Sequence, residues 1–133
     1  MANTTSIQIL NDGPRNVVVK FDGLLDTSEL GTTTIVDPAL LSDMNINGVK
    51  ASKLRINKIV YDIEDTLDLE LFWDAATPVR IWNLVGRGKV DMHRTGGINN
   101  NAVNPTGKIT ASTQGWAAGT ILSFSVVLEL VKQ

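Results

Sequence analysis

The one histidine of the chain, His93, stands in the run DMHRTGG, two residues after Asp91. A base beside a carboxylate that orients it is the beginning of a nucleophilic triad, and positions two apart on a strand share a face. No nucleophile motif accompanies the pair, so an exposed histidine at a strand end is the simpler reading. A second concentration of chemistry is acidic: Asp62, Glu64, Asp65, Asp68 and Glu70 surround the turn between two expected strands. Such acids could hold calcium, which takes about six to eight oxygens, or supply the acid and base of glycoside cleavage. Their spacing matches no EF-hand loop, and Asp68 and Glu70 fall on the solvent side of an alternating strand. A solvated face that discourages sheet-on-sheet pairing explains them with less.

The run GRGKVD, residues 86–91, begins like a nucleotide loop. Asp91 stands where the third glycine of G-x-G-x-x-G belongs, no helical pattern follows, and the Walker pattern is absent. It reads instead as a hairpin between residues 79–85 and 89–92. Arg80, Arg87, Lys89 and Arg94 form one modest basic group, and Lys50, Lys53, Arg55 and Lys58 another. Trp73, Trp82 and Trp116 could be stacking platforms for bases or sugars, but they are only three and at least two stand in strand runs, which favours core packing.

Composition narrows the classes further. The chain has 133 residues, 43% hydrophobic and 20% charged, which suits one globular domain spanning residues 1–133. Twelve basic against fourteen acidic residues leave a net charge of −2, so no global positive field draws nucleic acid, and none is expected as a partner. The absence of cysteine excludes disulfides, thiolate zinc sites and cysteine nucleophiles. No metal, nucleotide or other cofactor is expected. The N-terminal run MANTTSIQILND lacks the basic and apolar segments of a secretory signal. The longest nearly apolar run, ILSFSVVLELV, has 11 residues with two serines and a glutamate inside it, too short for a helix to span a bilayer. No membrane partner is expected.

RTGGINNNAVNPTGK, residues 94–108, holds three glycines, four asparagines and a proline but no acid. It cannot be a carboxylate calcium loop, and no helix follows to offer an N-terminus to phosphate. Asparagine and glycine tolerate left-handed backbone, so the run reads as a long surface loop whose work is contact with another protein.

The elements that must carry these groups have a period of two. Leu67, Leu69, Leu71 and Trp73 fall on one face of LDLELFW; Leu122, Phe124, Val126, Leu128 and Leu130 on one face of the C-terminal run, where Val127 is the exception. These are the expected core. In KLRINKIVYDI, Leu54 and Ile56 keep one parity, then Ile59, Tyr61 and Ile63 take the other. Either a β-bulge near Asn57 and Lys58 or burial on both faces over Ile59 and Val60 accounts for it. Turn signals stand at NDGP (11–14), DG (22–23), NG (47–48) and ATP (76–78). PALLSDM, residues 38–44, is the one plausible helical piece. Short alternating strands with this punctuation predict an all-β fold, an antiparallel β-sandwich of jelly-roll type with at most one short helix.

Four stretches then resemble a known group. NDGPRNVVVKFDG (11–23), LRINKIVYDI (54–63), LFWDAATPVRIWNL (71–84) and GGINNNA (96–102), with a closing LELVK (128–132), are similar to small structural proteins of tailed bacteriophages; the likeness spans residues 6–132. The resemblance implies a virion component of the capsid decoration, or cement, type. It implies the phage major capsid protein as partner, self-association as a dimer or trimer, a place on the capsid surface after synthesis in the host cytoplasm, and no enzymatic activity. Contacts are then expected at the loop of residues 94–108, through Arg94, Gly96, Gly97, Asn99, Asn100, Asn101 and Asn104. A flexible arm of residues 1–6, through Asn3 and Thr4, is expected to share them. A neck or tail component is an alternative position, and a jelly-roll carbohydrate-binding module an alternative function that exposed tryptophans would favour.

Overall fold

The alternation in residues 67–73 becomes the strand through the middle of one sheet, and that in residues 122–130 the middle of another. The computed structural model describes residues 3–44 and 48–133. Within them the strands run β1 (Thr4–Asp12), β2 (Asn16–Leu25), β3 (Thr33–Val36), β4 (Leu54–Ile63), β5 (Asp68–Trp73), β6 (Val79–Leu84), β7 (Arg87–Asp91), β8 (Ile109–Gln114) and β9 (Leu122–Lys132). One sheet has five strands in the order β1-β2-β9-β4-β7, the other four in the order β3-β8-β5-β6, and every pairing is antiparallel. Consecutive strands from β2 onward change sheet at each step except the β5–β6 hairpin. That is the jelly-roll order, β2-β9-β4-β7 against β3-β8-β5-β6, with β1 added at one edge.

The core follows from the inward face of each strand. Val17, Val19 and Phe21 of β2, Ile56 and Ile59 of β4, and Phe124, Val126 and Leu128 of β9 pack against Leu69, Leu71 and Trp73 of β5 and Ile109 of β8. The rings of Phe21 and Phe124 lie 5.3 Å apart at an angle of 51°, a tilted aromatic contact. Of the expected core residues, Leu122 alone is only partly buried. Val127, the exception to the alternation, lies on the outer face opposite Val60.

The parity change in β4 is a bulge. Ile56 pairs with Leu130 and Lys58 with Glu129, so Asn57 is the extra residue and Ile56 and Ile59 both reach the core. Val60 is 40% exposed, which removes the alternative of burial on both faces.

Four local expectations are corrected. Asp22 and Gly23 make no turn: Gly23 lies inside β2 opposite Phe124, and a Cβ there would stand 2.6 Å from the ring's Cζ. The glycine is a packing residue. Residues 79–85 and 89–92 form no hairpin, because β6 belongs to the four-stranded sheet and β7 to the five-stranded one, with Val85 and Gly86 as the step between them. The helical expectation over residues 38–44 shrinks to one 3-10 turn, Pro38–Leu40, capped by Asp37 Oδ1 accepting from the Ala39 amide at 3.0 Å. Among the described residues there is no α-helix, and a second 3-10 turn spans His93–Thr95. Thr4, Thr5 and Ser6, expected in a flexible arm, are instead the first rungs of β1, paired with Leu24, Gly23 and Asp22. The turn expected at residues 47–48 lies partly outside the described residues.

Candidate functional site

The loop between β7 and β8 begins with the 3-10 turn His93–Thr95, closed by the Met92 carbonyl, which accepts from the Thr95 amide at 3.0 Å and the Gly97 amide at 2.8 Å. Ile98 then exchanges two backbone hydrogen bonds with Ile56, of 3.0 and 2.7 Å, and its side chain packs against the core. At the far end the Thr106 amide donates to the Asp74 carbonyl at 3.0 Å and its hydroxyl to Asp74 Oδ2 at 2.8 Å. Gly107 follows at φ +91°, buried, where a Cβ would overlap the Ser52 carbonyl oxygen. A left-handed residue without a Cβ is the only one that fits there. The loop is therefore tied down at residues 98 and 106, and what it offers outward lies between.

That outward set overlaps the expected one incompletely. Arg94, Gly96, Asn99, Asn101 and Asn104 are exposed. Asn104 is left-handed at φ 50°, as its residue type permits. Gly97 and Asn100 are instead half-buried, Gly97 against β4 and Asn100 bonded within the loop. A Cβ on Gly97 would stand 2.7 Å from Asn57 Oδ1, while Asn100 Oδ1 accepts from the Ala102 amide at 3.1 Å. Their work is positional. Val103, 80% exposed, is the large apolar group of this surface. Its isolation within a polar run was the available signal, and composition alone passed over it. Three buried polar atoms, Arg55 Nε, Asn57 Oδ1 and Asn100 Nδ2, have no hydrogen-bond partner among the described residues.

Asn3 and Thr4 do not join the loop. Asn3 Oδ1 accepts from the amides of Asp26 and Thr27, both at 3.0 Å, and its Nδ2 donates to the Ser28 carbonyl at 3.1 Å, which anchors the chain before β1 to the β2–β3 connection. The loop is level with the other end of β1, because Ile98 pairs with Ile56, Ile56 with Leu130, Leu130 with Val17 and Val17 with Asp12. Nine residues of β1, at about 3.4 Å each, separate the two by roughly 30 Å. The expected contact residues form two surfaces, at opposite ends of the sandwich.

Of the groups considered for catalysis, Asp62, Glu64 and Asp65 line one open pocket with Arg87 and Ser123, while Asp68 and Glu70 lie on β5. Asp91 lies on β7 across from Lys58, and the side chain of His93 falls outside the described residues. Asp62 pairs with Arg87 at 3.1 Å, both largely exposed, and Glu64 Oε1 accepts from the Ser123 hydroxyl at 3.5 Å. Glu70 corrects an expectation: it is buried, 5% exposed, beneath the guanidinium of Arg80 from the neighbouring strand. An alternating pattern marks the outer face but not what covers it. Among the described residues no three acids or histidines gather where a metal could bind. Arg80 lies in one sheet, Arg87 and Lys89 in the other, so that basic group is divided. Lys50 and Lys58 of the second group pair with Asp43 and Glu129.

Trp73 is 1% exposed, and Trp82 and Trp116 are partly buried against the core. The indole N–H of Trp116 donates to the carbonyls of Leu25 and Thr120, each at 3.2 Å. Trp73 is thereby closed to a sugar, and Trp82 and Trp116 are partly covered.

A buried cation went unnoticed in the sequence. The Lys132 side chain is wholly buried, and its ammonium donates to Asp12 Oδ1 (2.8 Å), the Gly13 carbonyl (2.6 Å) and the Ser42 carbonyl (2.7 Å). Burial alone raises the Asp12 pKa. The hydrogen bond and charge of Lys132, with the amide and hydroxyl of Ser42, outweigh burial and hold the carboxyl below its usual range. The cluster fastens three segments to one another: the β1–β2 turn, the connection after β3 and the end of β9.

Comparison with models of known protein families finds none that matches this chain, and comparison with curated proteins finds no relative.

Proposed function

We propose that this protein is a structural component of a tailed-phage virion, which decorates and stabilises the capsid by binding across major capsid subunits. The observation that carries the reading is the likeness of residues 6–132 to small phage structural proteins, in stretches that become β2, β4, β5 and β6 and the loop after β7. The geometry is compatible with it. A jelly roll with a packed core offers a rigid body, the acids and bases are spread over both sheets, and the loop presents Asn99, Asn101 and Val103 from anchored ends. Such a loop loses little entropy on binding, because its anchors already restrict it. Weak contacts suffice when an oligomer engages several capsid subunits together. The test is to add the purified protein to capsids of its phage assembled without it, and to measure occupancy by cryo-electron microscopy. Ordered density at equivalent capsid positions is the expected result, and an empty capsid surface at saturating protein rules the role out.

A further inference from the structure

The two sheets are unequal, and the extra strand lies at an edge. β1 extends the five-stranded sheet beyond β2, while the four-stranded sheet stops at β3. Ile7 and Ile9 pair with Phe21 and Val19, whose side chains are in the core, so both isoleucines point to the inner side of the sheet. Among the described residues no strand covers them there. Ile7 is 45% and Ile9 49% exposed, and with Val36, Leu41 and the 81% exposed Leu40 they line an open apolar groove of about 350 Å³.

Among the described residues no strand pairs with the outer edge of β1 either. From Thr4 to Ile9 it carries no charge, no proline and no bulge; the register shift comes only afterwards, between Ile9 and Asn11. Those are the devices by which edge strands avoid pairing with another chain, and their absence marks an edge that pairs.

We infer that the occupant is a second copy of this chain, joined β1 to β1 in antiparallel fashion about a two-fold axis near Gln8. Sequence symmetry singles out that partner. A two-fold at Gln8 sets Ile7 opposite the partner copy's Ile9 and Ile9 opposite its Ile7, so both inward pairs are apolar. The strand's one charge, Asp12, stands beyond the register shift between Ile9 and Asn11 and is held by Lys132. The result is a continuous ten-stranded sheet, with the two uncovered isoleucine faces side by side over the groove and the Leu40 side chains at its borders. This inference stands apart from the capsid reading: a dimer that binds no capsid leaves it intact.

The chain has no cysteine, which makes the test direct. Analytical ultracentrifugation of the wild type should give a dimer, and Ile7→Lys and Gln8→Pro should each halve the mass with an unchanged circular dichroism spectrum. Gln8→Cys should crosslink to its own copy through a short bis-maleimide, whereas Lys89→Cys, on the opposite edge of the same sheet, should not. A wild-type monomer would leave the edge to a strand from another protein and overturn the inference. So would a trimer, a dimer that survives Ile7→Lys, or crosslinking at position 89 in place of position 8.

Discussion

Lys132 Nζ lies 2.8 Å from Asp12 Oδ1, which joins the end of the last strand to the end of the first. The same ammonium reaches Gly13 and Ser42, so one buried charge holds the β1–β2 turn and the connection after β3 against β9. Removing the cation leaves the Gly13 and Ser42 carbonyls without this donor and Asp12 with the amide and hydroxyl of Ser42 alone. Lys132→Met should therefore cost about 1–3 kcal/mol, the usual penalty for leaving buried hydrogen-bonding groups unpaired, because Asp12 is partly exposed and keeps Ser42. Urea denaturation of variant and wild type measures it, and a loss near zero would mean that the pair is solvated in solution.

The lowered pKa of Asp12 makes this junction sensitive to acid. Its folded value lies below the unfolded one of about 3.9, so its contribution is fully present above that pH. It is lost as the pH falls through the folded value. Asp12→Asn removes this titration. The wild type should lose stability faster than Asp12→Asn as the pH drops below about 4. Parallel acid dependences in urea midpoints would show that Asp12 does not carry the effect.

Gly23 and Phe124 should be coupled, since a side chain at position 23 needs the space that the ring fills. Phe124→Ala should cost about 3–5 kcal/mol through the cavity it leaves. Gly23→Val should cost about 1–3 kcal/mol through overpacking. Combined, the two substitutions should cost less than their sum, because each relieves the other. Simple additivity would mean that the ring moves aside freely.

Chelator should leave the thermal melt unchanged, given that no three metal-ligating side chains gather among the described residues. A clear fall in the melting temperature would direct attention to Glu64, Asp65 and Asp68 as a calcium site.

The strands were legible because a half-buried strand writes its burial into alternate residues, as in residues 67–73, and because the Asn57 bulge shifts that parity visibly. Gly23 misled because glycine marks turns and close approaches alike, and only the position of Phe124, a hundred residues on, distinguishes them. Glu70 misled for a related reason: Arg80, which covers it, comes from the next strand. The junction of Lys132 with Asp12 joins groups from the two ends of the chain, which no local pattern relates. In the loop the sequence spoke of exposure, and five of the seven residues singled out are exposed. Which residues would be anchors depended on tertiary partners, Ile56, Asp74 and Ser52.

Those anchors decide how the loop should be tested. Deleting residues 97–106 would remove Ile98 and Thr106, and with them the backbone bonds to β4 and to Asp74, so loss of binding could not be told from loss of fold. Substituting Asn99→Ala, Asn101→Ala and Val103→Ser touches only exposed side chains. The triple variant should keep its stability within about 0.5 kcal/mol for each substitution. Gly107→Ala, in contrast, forces a Cβ into the Ser52 carbonyl at a left-handed position and should cost more than about 1 kcal/mol. If the loop surface contacts the capsid, the triple variant should occupy fewer sites than the wild type at equal concentration while melting at nearly the same temperature. Full occupancy by the triple variant would move the contact away from the loop, to the opposite end of the sandwich where Asn3 is anchored.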